Sequence, residues 1–259
     1  MVVANFGIKN MGNTCYMNAV LQSLITLKPL EQVLTKECNT DLSKNLSNIL
    51  KLSNSESVSN IVLPTSLYRS LCSDYSSNFF KSRSQQDSHE CFLIFIDILE
   101  KGMGCKLDLF YGEYNTILKC IECDHTNTVK DELVSLCIPG AFTKEIIDDY
   151  KCDNCRKIGC VERSYSLCTP PEILCIQVNR FGNGGMKNNS PFKIKDKVYG
   201  TYELQSIILH SGNYLNCGHY YNVSKRGEKW ICFNDTVFAP INFENIPKND
   251  VYMLFYTKN

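Results

Sequence analysis

Net charge is what this sequence most plainly lacks. Its 27 lysines and arginines stand against 27 aspartates and glutamates, which leaves no electrostatic footprint for nucleic acid or an anionic membrane. Long apolar runs are missing too, none approaching the roughly 18 residues that suggest a membrane span. The opening MVVANFGIKN carries neither a basic leader with an apolar core nor a small-residue cleavage site. The expectation is a soluble monomer of the cytoplasm or nucleus, with reduced thiols, binding neither nucleic acid nor membrane. Histidine is scarce, with four in 259 residues, so any acid-base chemistry has few imidazoles to draw on.

Cysteine, by contrast, is abundant: there are fifteen, within a 44% hydrophobic composition that can fill a large core. In a reducing compartment such thiols pack, bind metal or react. The chain reads as helices first and strands afterwards, an α+β arrangement. Met17, Val20, Leu21 and Leu24 form one apolar stripe, with Asn13 or Thr14 able to cap the helix and Pro29 limiting it. The Asn/Ser-rich stretch between Lys36 and Asn60 reads as a surface loop in at least its second half, closing on SNSESVSN. A second helix opens in SQQDSHECFLIFIDILEK, where Ser84 and Asp87 have capping-box spacing and Phe92, Phe95, Ile96 and Leu99 align. After Gly102 come short strand-like runs: TILKC, TNTVKDELVSLCI, VERSYSLC, EILCIQVNRF, TYELQSIILHSG, GHYYNVSK, KWICFND and VYMLFYTK.

Cys15 lies where the Gly/Asn-rich GIKNMGNTC becomes helix. A thiolate there gains from unpaired N–H groups and the helix dipole, which lower a cysteine pKa from about 8.5 to roughly 3.5–7.5. Gly12 permits a tight approach, and the amide of Asn10 is at hand to steady an oxyanion. The plainer reading is one packed thiol among fifteen.

A base would separate the two readings. GHYYNVSK and KWICFND form two arms of a hairpin; a turn centred between Arg226 and Gly227 sets His219 opposite Asn234, and a slip of one residue sets it opposite Asp235. Either acceptor on one ring nitrogen leaves the other to take a proton from a thiol. An ordinary cross-strand polar pair remains the alternative. His89 inside the second helix suits a hydrogen-bonded structural role, His210 sits in a turn-like HSGN, and His125 follows CIEC.

Cys120 and Cys123 form one CxxC knuckle, Cys152 and Cys155 another, 28 residues apart. Two such knuckles can close a four-thiolate zinc site with no open position, hence structural. Their charged, turn-like surroundings, CIECDH and YKCDNCRK, are poor core sequences, which weighs against reduced core cysteines.

Taken in order, Asn10 to Asn18, Gln85 to Glu90, the two knuckles, Asn179-Arg180-Phe181, Gly218-His219-Tyr220 and Trp230 to Asp235 resemble the motifs of the ubiquitin-specific proteases, from about Phe6 to Lys258. The resemblance implies a papain-like hand in one domain: a helical thumb over about 1–105, zinc-bearing fingers over 106–165 and an antiparallel β palm over 166–259. It implies that Cys15 is the nucleophile, His219 the base and then acid, Asn234 its orienter with Asp235 in support, and Asn10 an oxyanion stabiliser. By the same transfer Gln86, Asp87 and Glu90 meet ubiquitin, Asp87 and Glu90 receiving basic residues of its tail, while Gly218 and Tyr220 line the channel for its terminal Gly-Gly. Ser88, Cys91 and Asn179 depart from the usual alanine, phenylalanine and lysine. The chain is short for the family, and an abbreviated stretch from Asn39 to Asn60 reduces the expected grip. The implied activity is a deubiquitinating thiol isopeptidase; a protease for a ubiquitin-like modifier and a non-catalytic ubiquitin-binding module of the same fold are the alternatives.

Overall fold

The computed structural model describes residues 5–35, 37–54, 60–75, 78–139, 145–182, 185–215 and 217–258. Helices dominate the first part: α1 (Cys15–Thr26), α2 (Lys28–Val33), α3 (Asp41–Leu50), α4 (Thr65–Asp74) and α5 (Ser88–Met103). A short parallel pair, β1 (Gly7–Ile8) with β2 (Ile61–Val62), flanks them.

Helix α1 is more than an amphipathic stripe, because all twelve of its residues are buried. Most of its polar side is paired internally: Asn18 donates to Ile8 O (3.1 Å), Gln22 to Phe6 O (2.7 Å), and Ser23 accepts from Asn222 (2.8 Å), while Asn18 Oδ1 is left without a partner among the described residues. Pro29 does not merely end α1 but occupies the first turn of α2, where its missing N–H costs nothing. Helix α5 starts three residues after the expected capping box. Asp87 itself is the N-cap, accepting from the backbone N–H of His89 (2.6 Å) and Glu90 (3.2 Å). It ends on Gly104 at φ +67°, a left-handed position that suits glycine.

Within the stretch read as Asn/Ser-rich, Thr40 and Ser43 close a reciprocal capping box and Leu42, Leu46, Ile49 and Leu50 bury one face, making α3. A 3₁₀ turn covers Lys51–Asn54; most of SNSESVSN lies outside the described residues.

Strands follow as β3 (Gly112–Cys120), β4 (Thr126–Leu133), β5 (Leu136–Pro139), β6 (Glu145–Ile147), β7 (Val161–Thr169), β8 (Ile173–Asn179), β9 (Lys197–Val198), β10 (Tyr202–Tyr214), β11 (Cys217–Arg226), β12 (Lys229–Asn234), β13 (Val237–Pro240) and β14 (Val251–Lys258). One antiparallel sheet has the order β4-β3-β7-β6; the large sheet runs β13-β12-β11-β10-β14-β8-β5, with β9 on β10. The run TNTVKDELVSLCI therefore splits between sheets, and β5 pairs with β8 in parallel, so the palm sheet is not wholly antiparallel. His210 lies within β10, fully buried, not in a turn.

The VYMLFY run of β14 shows no alternation because both faces are covered. Met253 and Phe255 join the helical core, while Leu254 and Tyr256 join a second core on the opposite face of the sheet. Each such buried side chain contributes roughly 1.5–3 kcal/mol. Helix α1 packs on β10, β11 and β12, and this contact carries the N-terminal loop to the C-terminal hairpin.

Candidate active site and thiol cluster

The loop before α1 is organised by one side chain. Asn10 Oδ1 accepts from Gly12 N (2.9 Å), Thr14 N (3.0 Å) and Thr14 Oγ1 (3.2 Å), while Thr14 Oγ1 accepts from Met11 N (2.8 Å). Gly12 at φ +104° makes the turn; a Cβ there would meet no neighbour, so conformation and not space selects glycine. Thr14 stands at the N-cap, yet its hydroxyl is turned back into the loop and caps nothing in the helix. The amides at the start of α1 are thus left without a side-chain acceptor, next to Cys15.

His219 arrives from β11. Its Nε2 lies 2.7 Å from Asn234 Oδ1. A carbonyl oxygen only accepts, so Nε2 carries the proton and Nδ1 is the nitrogen able to exchange one with a thiol. The hydrogen bond with Cys15 is the chief cause that pushes the imidazole up to about 9; the bond to Asn234 and the nearby Asp235 carboxylate add to it against the opposing effect of burial. Sequence positions 15 and 219 are therefore brought close enough to interact, with α1 packed directly on β11.

The hairpin register differs from the expected one. Arg226 pairs with Lys229, so the turn is Gly227-Glu228, with Gly227 at φ +62°, and the ladder is displaced by two residues. A two-residue displacement keeps every side chain on its face, and Asn234 still reaches His219 diagonally. Asp235 takes a left-handed φ of +50° and points elsewhere: Oδ2 accepts from Asn10 Nδ2 (3.0 Å) and Oδ1 from Asn18 Nδ2 (2.7 Å). It anchors the nucleophile loop to the hairpin. Asn10 Nδ2 carries a second hydrogen that this bond does not use. The sequence marks Thr14 only as a possible helix cap and gives no sign of Asn18's bond to Asp235, since their spacing resembles any helix start.

At the far end of the small sheet, the Sγ atoms of Cys120, Cys123, Cys152 and Cys155 all lie within 4.8 Å of one another. Cys120 and Cys155 are 3.7 Å apart, as are Cys123 and Cys152. A tetrahedron with metal–sulfur bonds of about 2.3 Å has edges of about 3.8 Å, so the donor set fits one thiophilic ion.

A family model described as Ubiquitin carboxyl-terminal hydrolase matches residues 6–256. The chain belongs to the ubiquitin carboxyl-terminal hydrolase family. It is 24% identical over 307 residues to Ubiquitin carboxyl-terminal hydrolase 36 of Drosophila pseudoobscura pseudoobscura, covering 96% of this chain and 29% of that protein. It is 25% identical over 318 residues to Ubiquitin carboxyl-terminal hydrolase 25 of Arabidopsis thaliana, covering 98% of this chain and 47% of the relative. The chain thus spans less than half the length of these two relatives. In fold it is similar to the SAGA DUB module Ubp8/Sgf11/Sus1/Sgf73 bound to monoubiquitin, with a TM-score of 0.74 and 22% identity, covering all of this chain and 71% of that one. The α+β fold implied by the sequence motifs is the fold of this family member.

The expected substrate contacts of this hydrolase-family chain are distributed differently. Both Asp87 oxygens are engaged inside the fold, Oδ1 at the cap of α5 and Oδ2 by Tyr252 OH (2.5 Å). Glu90 is exposed. Gln86 donates to Ser82 and Ser84 (2.7 and 2.8 Å), whereas Gln85 reaches the hairpin, accepting from Gly218 N (3.2 Å) and lying 3.3 Å from His210 Nε2. Tyr220 is 1% exposed and packs its ring against His210 at 4.6 Å, so it lies beneath the surface that Gly218 presents. A Cβ on Gly218 would sit 2.4 Å from Ser211 O, which explains glycine there. Burial, followed by the Lys187 charge, pushes His210 down to about 4 and keeps it neutral. His89 Nε2 meets Ser135 Oγ at 2.6 Å, the structural role read from sequence.

Proposed function

We propose that this chain is a deubiquitinating thiol isopeptidase, cleaving after the C-terminal glycine of ubiquitin in conjugates. The observation that carries the reading is His219, held by Asn234 at 2.7 Å and brought beside Cys15 at the start of α1 by the packing of α1 on β11. His219 Nδ1 takes the thiol proton, Cys15 Sγ attacks the glycine carbonyl, and the developing oxyanion faces the α1 amides and the second hydrogen of Asn10 Nδ2. His219 gives the proton to the departing lysine amine, and water then releases the acyl-enzyme. Asn234 holds the imidazole, and Asp235 holds Asn10.

Family membership and the ubiquitin-bound state of the similar DUB module support ubiquitin as partner. Gly218, Gln86 and Glu90 remain the candidate tail contacts, with Asp87 and Tyr220 acting from below. Zinc is the ion proposed for the four thiolates, as a closed site that stiffens the fingers and takes no part in bond cleavage. No helix among the described residues is long and apolar enough to cross a membrane. A cytoplasmic or nuclear monomer, with 1–259 acting as one catalytic unit, completes the proposal.

Fluorogenic ubiquitin tests it: the native chain hydrolyses it and Cys15→Ala does not. Unchanged turnover in that variant rules out the assigned nucleophile. Labelling by a tail-reactive ubiquitin-like probe but not by ubiquitin moves the substrate to that modifier. Ubiquitin binding without any labelling identifies a non-catalytic module.

A further inference from the structure

A fifth cysteine stands against the thiol cluster and has no part in the proposed catalysis. Cys160 Sγ lies 3.5 Å from Cys120 Sγ, closer than the 3.7 Å separations of Cys120–Cys155 and Cys123–Cys152. Its position is built by the sheet and not by a loose chain: its carbonyl accepts from Ile121 N (2.9 Å), and the next residue, Val161, pairs with Cys120 across β3 and β7. It is 5% exposed, so a polar function toward solvent is excluded. Four thiolates already complete a tetrahedral ion, which leaves this sulfur next to a ligand without being one. A narrow crevice whose lining includes Leu118, Cys120, His125, Asn127, Tyr150 and Cys152 adjoins Cys120.

We propose that Cys120 and Cys160 are an oxidative modification site, where hydrogen peroxide forms a disulfide that withdraws Cys120 from the metal. The metal-displacing half rests on the zinc reading above. The Cys120 sulfur attacks one peroxide oxygen, the O–O bond breaks, and the released hydroxide takes a proton to leave as water, giving the sulfenic acid. The Cys160 sulfur then attacks the Cys120 sulfur; the S–O bond breaks, the hydroxide takes the Cys160 proton, and a second water departs. Two electrons pass from the sulfur pair to peroxide. The sulfurs have to close from 3.5 Å to the bond length of about 2 Å. Three thiolates remain on the ion, which a competing chelator then removes.

The test uses the whole metal-loaded chain, treated with hydrogen peroxide in the presence of a chromophoric zinc chelator. Peptide mass spectrometry should find Cys120 joined to Cys160, and a thiol reductant should reverse the link. Peroxide-driven zinc release should be at least about tenfold faster in the native chain than in Cys160→Ser, while Cys168→Ser, an exposed cysteine outside the cluster, behaves as native. Cys160→Ala serves if the serine variant does not fold. Equal release rates, or no Cys120–Cys160 peptide, overturn the proposal. Protein that is folded but metal-free from the start overturns the displacement step and, separately, the zinc reading; the crosslink is scored by mass independently of both.

Discussion

His219 and Asn234 are joined by a 2.7 Å hydrogen bond although the hairpin ladder does not pair them. Continuing the register sets Asn234 opposite Tyr221, so the bond runs diagonally, two residues along the same face. Asn234→Ala removes the acceptor that holds the proton on Nε2. Correct proton placement is worth on the order of 10²-fold or more in general acid-base catalysis, and kcat/KM on fluorogenic ubiquitin should fall by about that factor with unfolding by urea little changed.

The imidazole also sets a pH dependence. His219 is raised to about 9 from an ordinary 6.5, mainly by its bond with Cys15. A raised basic group adds stability that is complete below 6.5 and lost as pH climbs through about 9. The alkaline limb of kcat/KM should fall near that value. In Cys15→Ala the imidazole titration, followed by NMR, should move down toward 6.5; a midpoint that stays near 9 contradicts the assigned cause.

Asp235 acts through what it holds. Its two oxygens accept from Asn10 and Asn18, which lie 225 and 217 positions away. Asp235→Ala leaves Asn10 Nδ2 without its acceptor and Asn18 Nδ2 with Ile8 O alone, and frees the loop that precedes Cys15. Turnover should drop roughly 10–100-fold, and Asp235→Asn, which restores only one acceptor oxygen, should recover part of it. A Cys15 that still reacts with a small alkylating reagent shows that the thiol itself survives.

Metal removal should act at the fingers. Elemental analysis should find about one zinc per chain, and Cys152→Ser should abolish it. Zinc contributes about 10–16 kcal/mol in isolated small modules. The effect here should be smaller because β3 keeps its pairing with β4 and β7, so thermal unfolding is expected to lose its uppermost transition while Cys15 alkylation is unaffected.

A buried cation behind the hairpin gives a stability test. The Lys187 side chain is 1% exposed, bonds Asp250 Oδ1 at 2.8 Å and also donates to the His210 carbonyl; Asp250 Oδ2 accepts from Tyr221 OH at 3.1 Å. Lys187→Met strands a carboxylate that is itself 21% exposed, at a cost near the lower end of the roughly 3–5 kcal/mol typical of breaking such pairs. Adding Asp250→Asn should restore part of the loss in urea unfolding.

Several features were legible without coordinates, and for a common reason. Helix α5 and the long strands announce themselves through apolar spacing, and the two CxxC knuckles through theirs. Helix α3 was hidden by its serines and asparagines, although Thr40, Leu42, Leu46 and Ile49 carried its cap and face. The division of one strand-like run into β4 and β5 could not be seen, since strand propensity does not say to which sheet a residue belongs.

By itself, the sequence determined a thiol at a helix start, a histidine and an asparagine on one face of a hairpin, and two pairs of metal-competent cysteines. These depend on periodicity within a few residues. The tertiary structure decided which oxygen reaches His219, that Asp235 serves Asn10 and Asn18 instead, that Gln85 and not Gln86 meets Gly218, and that Cys160 rests on Cys120. Hydrogen bonds and sulfur contacts discriminate at a fraction of an ångström, whereas local spacing specifies only a face; the packing of distant segments supplies the rest.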